Sequence, residues 1–180
     1  MEIKVLEKTI GCMPQQFEKG DWIDLTLAET VTLKCPQAHK MHIRNKNKQE
    51  VPTERTRDVV FDIKLLPLGV AMEIPEGYEA HLLPRSGSFK KYGIIQTNSM
   101  GIIDNSYSGD NDEWKLPILA TRNVTIPKGH RIAQFRIIPS QKATVWQKIK
   151  WLFSSPKIKL TKVESLNNTD RKGIGEGTGI

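Results

Sequence analysis

Residues 65–87 read LLPLGVAMEIPEGYEAHLLPRSG, and this stretch sets the fold class. Short apolar runs rich in Leu, Val and Ile alternate with turn signals such as Pro75-Glu76-Gly77, a pattern typical of strands joined by tight turns. Similar turn signals recur along most of the chain. With 180 residues, the chain is long enough for one compact domain with a core. The sequence therefore predicts an all-β, largely antiparallel domain.

Two stretches depart from this pattern. Residues 34–58 are polar and charged and lack apolar periodicity, which predicts an insertion that leaves the core as a hairpin. Residues 145–153 have apolar side chains at helical spacing and end just before Ser154-Ser155-Pro156. The basic segment 141–160 is therefore predicted to hold the one short helix of the fold.

The end of the chain is rich in glycine. Residues 173–179 contain four glycines, and such a segment has too few apolar side chains to order itself in isolation. The predicted organisation is a β domain over residues 1–165, which includes both basic segments, followed by a flexible C-terminal lid over residues 166–180.

The net charge of +7 is unevenly distributed. Residues 34–58 hold seven Lys/Arg against three Asp/Glu, and residues 141–162 hold six Lys and no acid, so the rest of the chain sums to −3. The remainder therefore has no general nucleic-acid-binding character. The two basic segments are either solvated surface or contacts for a protein or nucleic-acid partner, and the helix could also pack on a neighbouring copy or a membrane surface.

The sequence also indicates where the protein works. Nothing in it approaches the roughly 20 apolar residues of a membrane span, and residues 1–4 lack the apolar core of a signal peptide. Cys12 and Cys35 are expected to be free thiols, because a cytosolic compartment is reducing. We therefore expect a cytoplasmic protein.

Two short segments carry residues suited to chemistry on a phosphate. Arg85, Ser86 and Gly87 offer a guanidinium, a hydroxyl and a backbone amide in consecutive positions, each able to donate to a phosphate oxygen. Some ten residues later an apolar run ends at Asp104, with Tyr107 three residues on. A carboxylate placed there can hold and deprotonate a water molecule if a phosphorus comes within reach.

Five segments, in this order, resemble the five motifs of the trimeric dUTPases. The segments are GDWIDL at 20–25, PRSG at 84–87, NSMGIIDNSYSG at 98–109, GHRIAQF at 129–135 and DRKGIGEGTG at 170–179. One segment alone would be weak, but their order and spacing together are specific. The residues of these segments are most similar to those of the dUTPases of Gram-positive bacteria and their phages. The matched core covers residues 1–33, 59–139 and 161–180.

The resemblance implies a jelly-roll-like β barrel that forms a homotrimer, with each active site shared between subunits. The implied activity is that of a dUTP diphosphatase, which hydrolyses dUTP to dUMP and pyrophosphate by attack of water on the α-phosphorus. Mg2+ is the implied cofactor, held mainly through the substrate phosphates without a direct protein ligand. Such an enzyme works in the cytoplasm of a bacterium or of a phage-infected host.

The resemblance also implies a role for individual residues. Asp104 corresponds to the carboxylate that activates water, and Tyr107 to a ring that packs under deoxyribose and rejects ribose. Asp24 and Arg131 are expected to support the site. The residues implied to contact the substrate are Arg85, Ser86, Gly87 and Gln134 at the phosphates, Asn98, Gly101, Ile102 and Ile103 at uracil, and Arg171 and Ile174 from the lid.

The lid departs from the family pattern in two places. Ile174 stands where an aromatic residue usually stacks on uracil, and an aliphatic side chain covers a base without comparable stacking. Glu176 adds a negative charge near the expected triphosphate. We therefore expect Arg171 to function as in the family while the other contacts of the lid differ.

Two other functions compete with dUTP hydrolysis. A dCTP deaminase shares this fold but needs a glutamate in the strand after the hairpin, where this chain has Trp114, and Glu113 would face the other way by strand alternation. A nucleotide-sensing regulatory protein would keep the dUTPase body and use the basic segments to bind a partner. The motifs favour the hydrolase over the deaminase, whereas a sensing role is compatible with catalysis and would replace it only if the altered lid cannot close.

Overall fold

The computed structural model describes residues 1–44, 50–154 and 157–171. Strands dominate this part of the chain, and the predicted all-β class is confirmed. The helices are α1 (Ser88–Tyr92) and α2 (Val145–Phe153). The strands are β1 (Glu2–Glu7), β2 (Ile23–Thr26), β3 (Val31–Leu33), β4 (Gln37–Arg44), β5 (Glu50–Val60), β6 (Ile63–Pro67), β7 (Val70–Glu73), β8 (Tyr78–Pro84), β9 (Ile94–Gln96), β10 (Gly101–Asp104), β11 (Lys115–Ala120), β12 (Val124–Ile126), β13 (Arg131–Pro139) and β14 (Lys159–Val163).

Three sheets form the body of the described chain. The first has the order β10-β8-β13-β2, is antiparallel throughout and carries most of the candidate site residues. The second has the order β14-β1-β7, with β1 parallel to β14 and antiparallel to β7. The third is antiparallel, with the order β6-β11-β9. The pairs β12-β3 and β4-β5 complete this arrangement.

The hydrophobic core is built from alternate residues of the strands. In β11, Leu116, Ile118 and Ala120 are fully buried while their neighbours are partly exposed, as expected of a strand with one face turned inward. Trp114 and Phe135 are also fully buried and meet edge to face, with ring centroids 5.1 Å apart. Because Phe135 belongs to β13, this packing fixes the sheet that carries the site.

The apolar run over residues 65–74 forms two strands, although its sequence reads as one. β6 ends at Pro67, β7 begins at Val70, and the two belong to different sheets. Gly69 makes the break, because its φ of +70° is left-handed and an added Cβ would lie 2.8 Å from the Cys12 Sγ atom. The break is hidden in the sequence because the residues on both sides of it are buried.

The charged insertion over residues 34–58 contains the predicted hairpin. Strands β4 and β5 pair antiparallel from Gln37 opposite Val60 to Arg44 opposite Glu50, with register shifts around Lys40. The ladder therefore extends two residues past the predicted end of the insertion.

One prediction about the helices is confirmed and the other is wrong. α2 covers the predicted residues and begins with a capping box, in which Thr144 and Gln147 satisfy each other's backbone N–H groups. α1 was not predicted, so the expectation of a single helix is wrong. Its five residues are too few to show a helical period, and it ends at Gly93, whose φ is +67°.

Two smaller expectations can be compared with the structure. Both cysteines are free, as predicted, with Cys12 buried and Cys35 partly exposed. In the described ranges, no helix is long and apolar enough to cross a membrane.

Candidate active site

A buried carboxylate organises the first group of candidate residues. Asp24 is 5% exposed, and its two oxygens lie 3.1 Å from Arg85 Nε and 3.1 Å from Arg131 Nη1. Both arginine side chains remain more than a third exposed, at 36% and 38%. One carboxylate balances only one of the two positive charges. The arrangement therefore presents excess positive charge to solvent, which favours an anion.

The loop after β8 is held at its ends and open in its middle. The Arg85 N–H donates to the Ile132 carbonyl at 3.0 Å, and the Ser88 hydroxyl donates to the same carbonyl at 2.9 Å. Between them Ser86 and Gly87 are exposed, and an added Cβ at Gly87 would meet nothing within 4 Å. The hydroxyl and the glycine backbone are thus accessible to a bound phosphate.

A basic cleft of about 680 Å³ opens beside this loop. Lys90 and Lys91 line it together with the two arginines, so its surface is rich in positive groups, and His130 forms another part of its wall. Within it, the Tyr92 hydroxyl is hydrogen-bonded to the His130 Nδ1 atom. The electrostatics of the cleft suit a polyanion such as a triphosphate.

Gln134 lies on β13 beside this loop. It is opposite Leu83 of β8 on one side and Asp24 of β2 on the other, and its Nε2 atom donates to the Pro84 carbonyl over a long 3.5 Å. An amide held this weakly can turn towards another acceptor.

We call the residues around the loop after β8 the cradle half-site, made of Asp24, Arg85, Ser86, Gly87, Arg131 and Gln134.

Asp104 ends β10 with a half-exposed side chain. Its Oδ1 atom accepts hydrogen bonds from the Ser106 N–H at 2.9 Å and from the Ser106 hydroxyl, and its Oδ2 atom lies 3.0 Å from Arg171 Nη1. Partial burial raises the pKa of Asp104, but the Ser106 hydrogen bonds and the Arg171 charge outweigh it, so the net pKa is lowered. Asp104 is therefore ionised at neutral pH and can accept a proton.

Tyr107 is fixed beside Asp104 by its backbone and its hydroxyl. Its N–H donates to the Asp104 carbonyl at 3.1 Å, and its hydroxyl donates to the Glu113 carbonyl at 3.0 Å. Tyr107 as a whole residue is 9% exposed. Burial, with the charges of Asp112 and Glu113, raises the pKa of Tyr107 to about 12. The phenol stays neutral at physiological pH, and only a small part of the ring is accessible to a ligand.

The predicted uracil-reading segment lies along an edge strand. β10 pairs with β8 alone in the described sheet, so one row of its backbone N–H and C=O groups faces away from the ladder. Gly101 is buried, Ile102 is 60% exposed and Ile103 is partly buried. The exposed Asn98 is oriented by Gln96, whose Nε2 atom donates to the Asn98 Oδ1 atom at 2.7 Å.

The start of the predicted lid lies against the same region. Arg171 is exposed apart from its contact with Asp104, whereas Ile174 lies outside the described residues. We call this second group the carboxylate half-site, made of Asp104, Ser106, Tyr107, Arg171 and the free edge of β10.

Strand β8 separates the two half-sites. Asp104 lies opposite Glu79 at one end of β8, whereas Ala133 lies opposite Pro84 at the other end, next to Arg85. The six steps from Glu79 to Arg85 correspond to about 20 Å of extended chain. Asp104 and Arg85 of one chain are therefore far apart along β8, whereas Gly101, at the other end of β10, lies opposite Leu82 and nearer to the cradle half-site.

Sequence reasoning missed four polar residues that order the carboxylate half-site. Two local signals are available: a hydroxyl two residues after an aspartate is typical of an Asx-type turn, and residues 108–112 are turn-forming, but neither signal indicates Asp170. These residues are Ser106, Asp110, Asp112 and Asp170.

The surroundings of Glu113 argue against a deaminase site. Its carboxylate accepts the Gly69 N–H at 2.9 Å, so it is engaged with the β6–β7 connection. Trp114 is fully buried against Phe135. The carboxylate that deaminase chemistry would require is therefore bound elsewhere.

The described residues also bear on metal binding. They contain no group of three or more His, Cys, Asp or Glu side chains arranged to hold a metal ion. The cradle half-site is cationic, which suits phosphate oxygens. A cationic half-site that binds phosphate oxygens is compatible with Mg2+ that arrives bound to a nucleotide, because Mg2+ readily keeps water and phosphate oxygens as its ligands.

Comparison with known proteins agrees with the motifs. The dUTPase family model matches residues 50–178. A prophage-derived deoxyuridine 5'-triphosphate nucleotidohydrolase of Bacillus subtilis is 43% identical over 97% of this chain and 95% of its own. The deoxyuridine 5'-triphosphate nucleotidohydrolase of Rickettsia prowazekii is 41% identical over 81% of this chain and 82% of its own.

A solved structure supports the fold. The dUTPase of Streptococcus mutans superposes with a TM-score of 0.59 over 80% of this chain and 99% of its own, at 18% sequence identity. The expected jelly-roll-like fold and the resemblance to bacterial and phage proteins are thereby confirmed. By its sequence, its fold and the arrangement of its motifs, the chain belongs to the dUTPase family.

Proposed function

We propose that this protein is a dUTP diphosphatase that converts dUTP and water to dUMP and pyrophosphate. The observation that carries the proposal is the ionised, half-exposed Asp104 at the end of an edge strand, on a chain that separately builds a cationic phosphate cradle. The family membership and the names of the relatives support the same substrate.

The proposed reaction uses Asp104 as the general base. Asp104 accepts a proton from water as the water oxygen attacks the α-phosphorus. The bond from that phosphorus to the oxygen bridging it to the β-phosphorus breaks, and this oxygen leaves with pyrophosphate. Arg85, Ser86, Gly87 and Gln134 hold the phosphates, while Asp24 and Arg131 fix the cradle. Mg2+ on the phosphates would supply charge neutralisation of the triphosphate.

Selectivity is proposed to arise at the carboxylate half-site. The Asn98 amide and the free edge of β10 from Gly101 to Ile103 can pair with the uracil edge, because both offer donors and acceptors. The exposed part of the Tyr107 ring would contact deoxyribose. The lid, residues 166–180, would close with Arg171 on the terminal phosphate.

The substrate profile tests this proposal. Pyrophosphate release is measured from dUTP, dCTP, dTTP and UTP with Mg2+, for the wild type and Asp104→Asn. Release from dUTP alone, lost in the variant, is the expected result. Binding of dUTP without release would indicate a nucleotide sensor, and ammonia release from dCTP would indicate a deaminase.

The active protein is proposed to be a homotrimer, because Asp104 and Arg85 of one chain are about 20 Å apart along β8 and would act on one nucleotide only if different chains supplied them. A suitable contact surface exists on the β6-β11-β9 sheet. Ile63, Leu119 and Ile95 form one cross-strand row, and Ile63 and Ile95 are 64% and 43% exposed. Light scattering tests this contact: we expect a trimeric mass for the wild type and a smaller mass for Ile63→Asp.

Helix α2 is proposed to contact a neighbouring copy rather than nucleic acid. It exposes Val145, Trp146, Leu152 and Phe153 by 70% or more. It also lies at the Asp104 end of β8, since its Trp151 ring packs 5.9 Å from Tyr78. Leu152→Asp should weaken assembly in light scattering. A DNA mobility shift lost at higher salt would instead indicate nucleic-acid binding by the basic segments.

The cytoplasm is the proposed location, because nucleoside triphosphates are held there. Cell fractionation tests this: the protein should fractionate with cytoplasmic markers.

A further inference from the structure

We infer that Gln96 is a positioning residue that sets the preference for uracil over cytosine, by holding the Asn98 side-chain amide with its NH2 group towards the base. This inference rests on the proposed function and deepens it, because it names the group that separates dUTP from dCTP. Gln96 itself is buried and acts through Asn98 rather than on the nucleotide.

Gln96 is a buried polar side chain at the boundary between two sheets. It ends β9, where it lies opposite Ile118 of β11, and it is 7% exposed. Its Nε2 atom donates to the Leu82 carbonyl of β8 at 3.3 Å and to the Asn98 Oδ1 atom at 2.7 Å. Its Oε1 atom is buried and has no hydrogen-bond partner within the described part of the chain. The nitrogen of this amide therefore makes the contacts that orient its neighbours.

The Leu82 carbonyl fixes which way the Gln96 amide points. A carbonyl oxygen can only accept a hydrogen bond, so the nitrogen of Gln96, rather than its oxygen, must face it. The second hydrogen of the same NH2 group then points to Asn98, which must present its Oδ1 atom in return. The turned arrangement would place the Gln96 oxygen against the Leu82 oxygen, and two acceptors repel each other. One carbonyl thus sets the orientation of two amides in sequence.

Close packing keeps the Gln96 amide in this place. Gly101 of β10 lies opposite Leu82, and a Cβ added at Gly101 would be 3.3 Å from the Leu82 Cβ atom and 3.5 Å from the Gln96 Nε2 atom. The backbone of β10 therefore approaches the amide closely and limits its movement on that side.

The backbone around Asn98 is held as well. The Thr97 N–H donates to the Pro117 carbonyl of β11 at 3.1 Å. Ser99 has a left-handed backbone with a φ of +58°, which turns the chain sharply into β10. Asn98 is exposed between these two positions, so its side chain is open to a ligand while its backbone and its oxygen are fixed.

The fixed orientation gives Asn98 one chemical character. Because Gln96 takes the Oδ1 atom, the Nδ2 group remains to donate to a ligand. Uracil carries an acceptor, O4, at the position where cytosine carries an amino group, which is a donor. A donor that faces this position pairs with uracil and opposes cytosine. An Asn98 amide that was free to turn could instead accept the cytosine amino group with its oxygen, and the preference would be lost.

Substrate preference tests the inference. kcat/KM for dUTP and dCTP is measured by pyrophosphate release for wild type and Gln96→Met, which keeps the length of the side chain but removes its donors. We expect the dUTP/dCTP ratio to fall about tenfold, because the Asn98 amide is no longer held in one orientation. An unchanged ratio in a folded Gln96→Met protein would overturn the inference.

A matched control removes the same amide elsewhere. Gln37 is exposed at the start of β4, and its Nε2 atom donates to the Cys35 carbonyl at 3.1 Å. Gln37→Met should keep the wild-type dUTP/dCTP ratio. An equal fall in this variant would show that the ratio does not report on Gln96 and would contradict the assignment.

A second variant tests the orientation without changing the buried residue. Asn98→Asp keeps an oxygen for Gln96 but presents an oxygen, instead of an NH2 group, to the base. We expect the dUTP/dCTP ratio to fall about a hundredfold, since an acceptor then faces the uracil O4 atom. A retained preference for dUTP would show that the oxygen of Asn98 already faces the base and would overturn the inference.

A double-mutant cycle tests whether Gln96 acts through Asn98. In an Asn98→Ala background the amide that Gln96 holds is absent, so Gln96→Met should leave the dUTP/dCTP ratio of that background unchanged. The same tenfold fall in both backgrounds would show that Gln96 acts independently of Asn98 and would overturn its positioning role.

Nucleotide binding separates a failure of this inference from a failure of the proposed function. Asp104→Asn, which is expected to leave nucleotides intact, is titrated with dUTP and dCTP in a calorimeter, with and without Gln96→Met. We expect the ratio of the two dissociation constants to change about tenfold. If this change is seen while wild type releases no pyrophosphate, the proposed reaction is wrong and the role of Gln96 stands. An unchanged ratio with an active wild type would overturn the role of Gln96 alone.

Discussion

The two half-sites are built in opposite ways. In the cradle half-site, the buried Asp24 of β2 holds two partly exposed arginines, Arg131 on the paired strand β13 and Arg85 at the end of β8. One carboxylate balances one of the two charges, so a net positive charge remains. In the carboxylate half-site, the half-exposed Asp104 is balanced by one arginine from the C-terminal segment, and turns and loops supply the supporting contacts. The first arrangement suits binding of an anion, and the second suits activation of a water molecule. Because about 20 Å of β8 lies between Asp104 and Arg85, we propose that binding and chemistry meet where two chains meet.

The largest effect is expected when the carboxylate half-site loses its base. Asp104→Asn removes the proton acceptor but keeps the shape and an acceptor oxygen for Ser106. We expect kcat to fall by about 10³-fold with little change in KM, which steady-state pyrophosphate release measures. Asp62→Asn, in the connection between β5 and β6, is the matched control. Equal activity in Asp104→Asn would remove the chemical role from this half-site.

A smaller loss, of a different kind, is expected in the cradle half-site. Asp24→Asn leaves two neighbouring guanidiniums without their carboxylate, so their orientation is lost. We expect KM for dUTP to rise about tenfold or more, and the free energy of unfolding to fall by roughly 1–2 kcal/mol because both arginines are partly solvated. Denaturant unfolding and steady-state kinetics measure the two effects. A loss confined to kcat would contradict a binding role for the cradle.

The fall in kcat/KM at low pH should depend on Arg171. The Ser106 hydrogen bonds and the Arg171 charge, against the opposing effect of burial, lower the pKa of Asp104. A lowered pKa keeps the base ionised until the pH falls below the ordinary aspartate value of about 3.9. Arg171→Ala removes one lowering cause, so the acid limb of kcat/KM should move to higher pH.

The pH profile needs a comparison between proteins, because the phosphates of dUTP also titrate. The difference between wild type and Arg171→Ala is therefore the readout. An acid limb that moves to lower pH in the variant would contradict the assigned contact.

The smallest effect is expected at Tyr107. Tyr107→Phe removes the hydrogen bond to the Glu113 carbonyl but keeps the buried ring. We expect a loss of about 1 kcal/mol in the free energy of unfolding, and an unchanged preference for dUTP over UTP. Thermal unfolding and a two-substrate assay test this. A loss of deoxyribose preference would show that the hydroxyl, rather than the ring, discriminates between sugars.

The sequence predicted the parts of this comparison that depend on local pattern. Turn signals and apolar runs predicted the strands, and the order of five motifs predicted the fold and the site candidates. α1 was missed because five residues show no period. The break at Gly69 is not visible in the apolar pattern, because apolar residues continue on both sides of it.

The contact between the loop at Gly109 and the C-terminal segment at Asp170 could not be predicted for a different reason. Gly109 and Asp170 are 61 positions apart in the sequence, and only the folded chain shows that one must be glycine to admit the other. In the same way, each half-site could be proposed from its motif, but their separation depends on the register of β8 with β10 and β13.

The most direct test of the central claim is complementation between the half-sites. Arg85→Ala and Asp104→Asn are each expected to be inactive, and equal amounts are unfolded, refolded together and assayed for pyrophosphate release from dUTP. A site shared between chains predicts recovery to about a quarter of wild-type activity, because mixed trimers contain one intact site each. Activity no higher than that of the separate variants, with wild type active after the same treatment, would show that one chain supplies both residues and would contradict the claim.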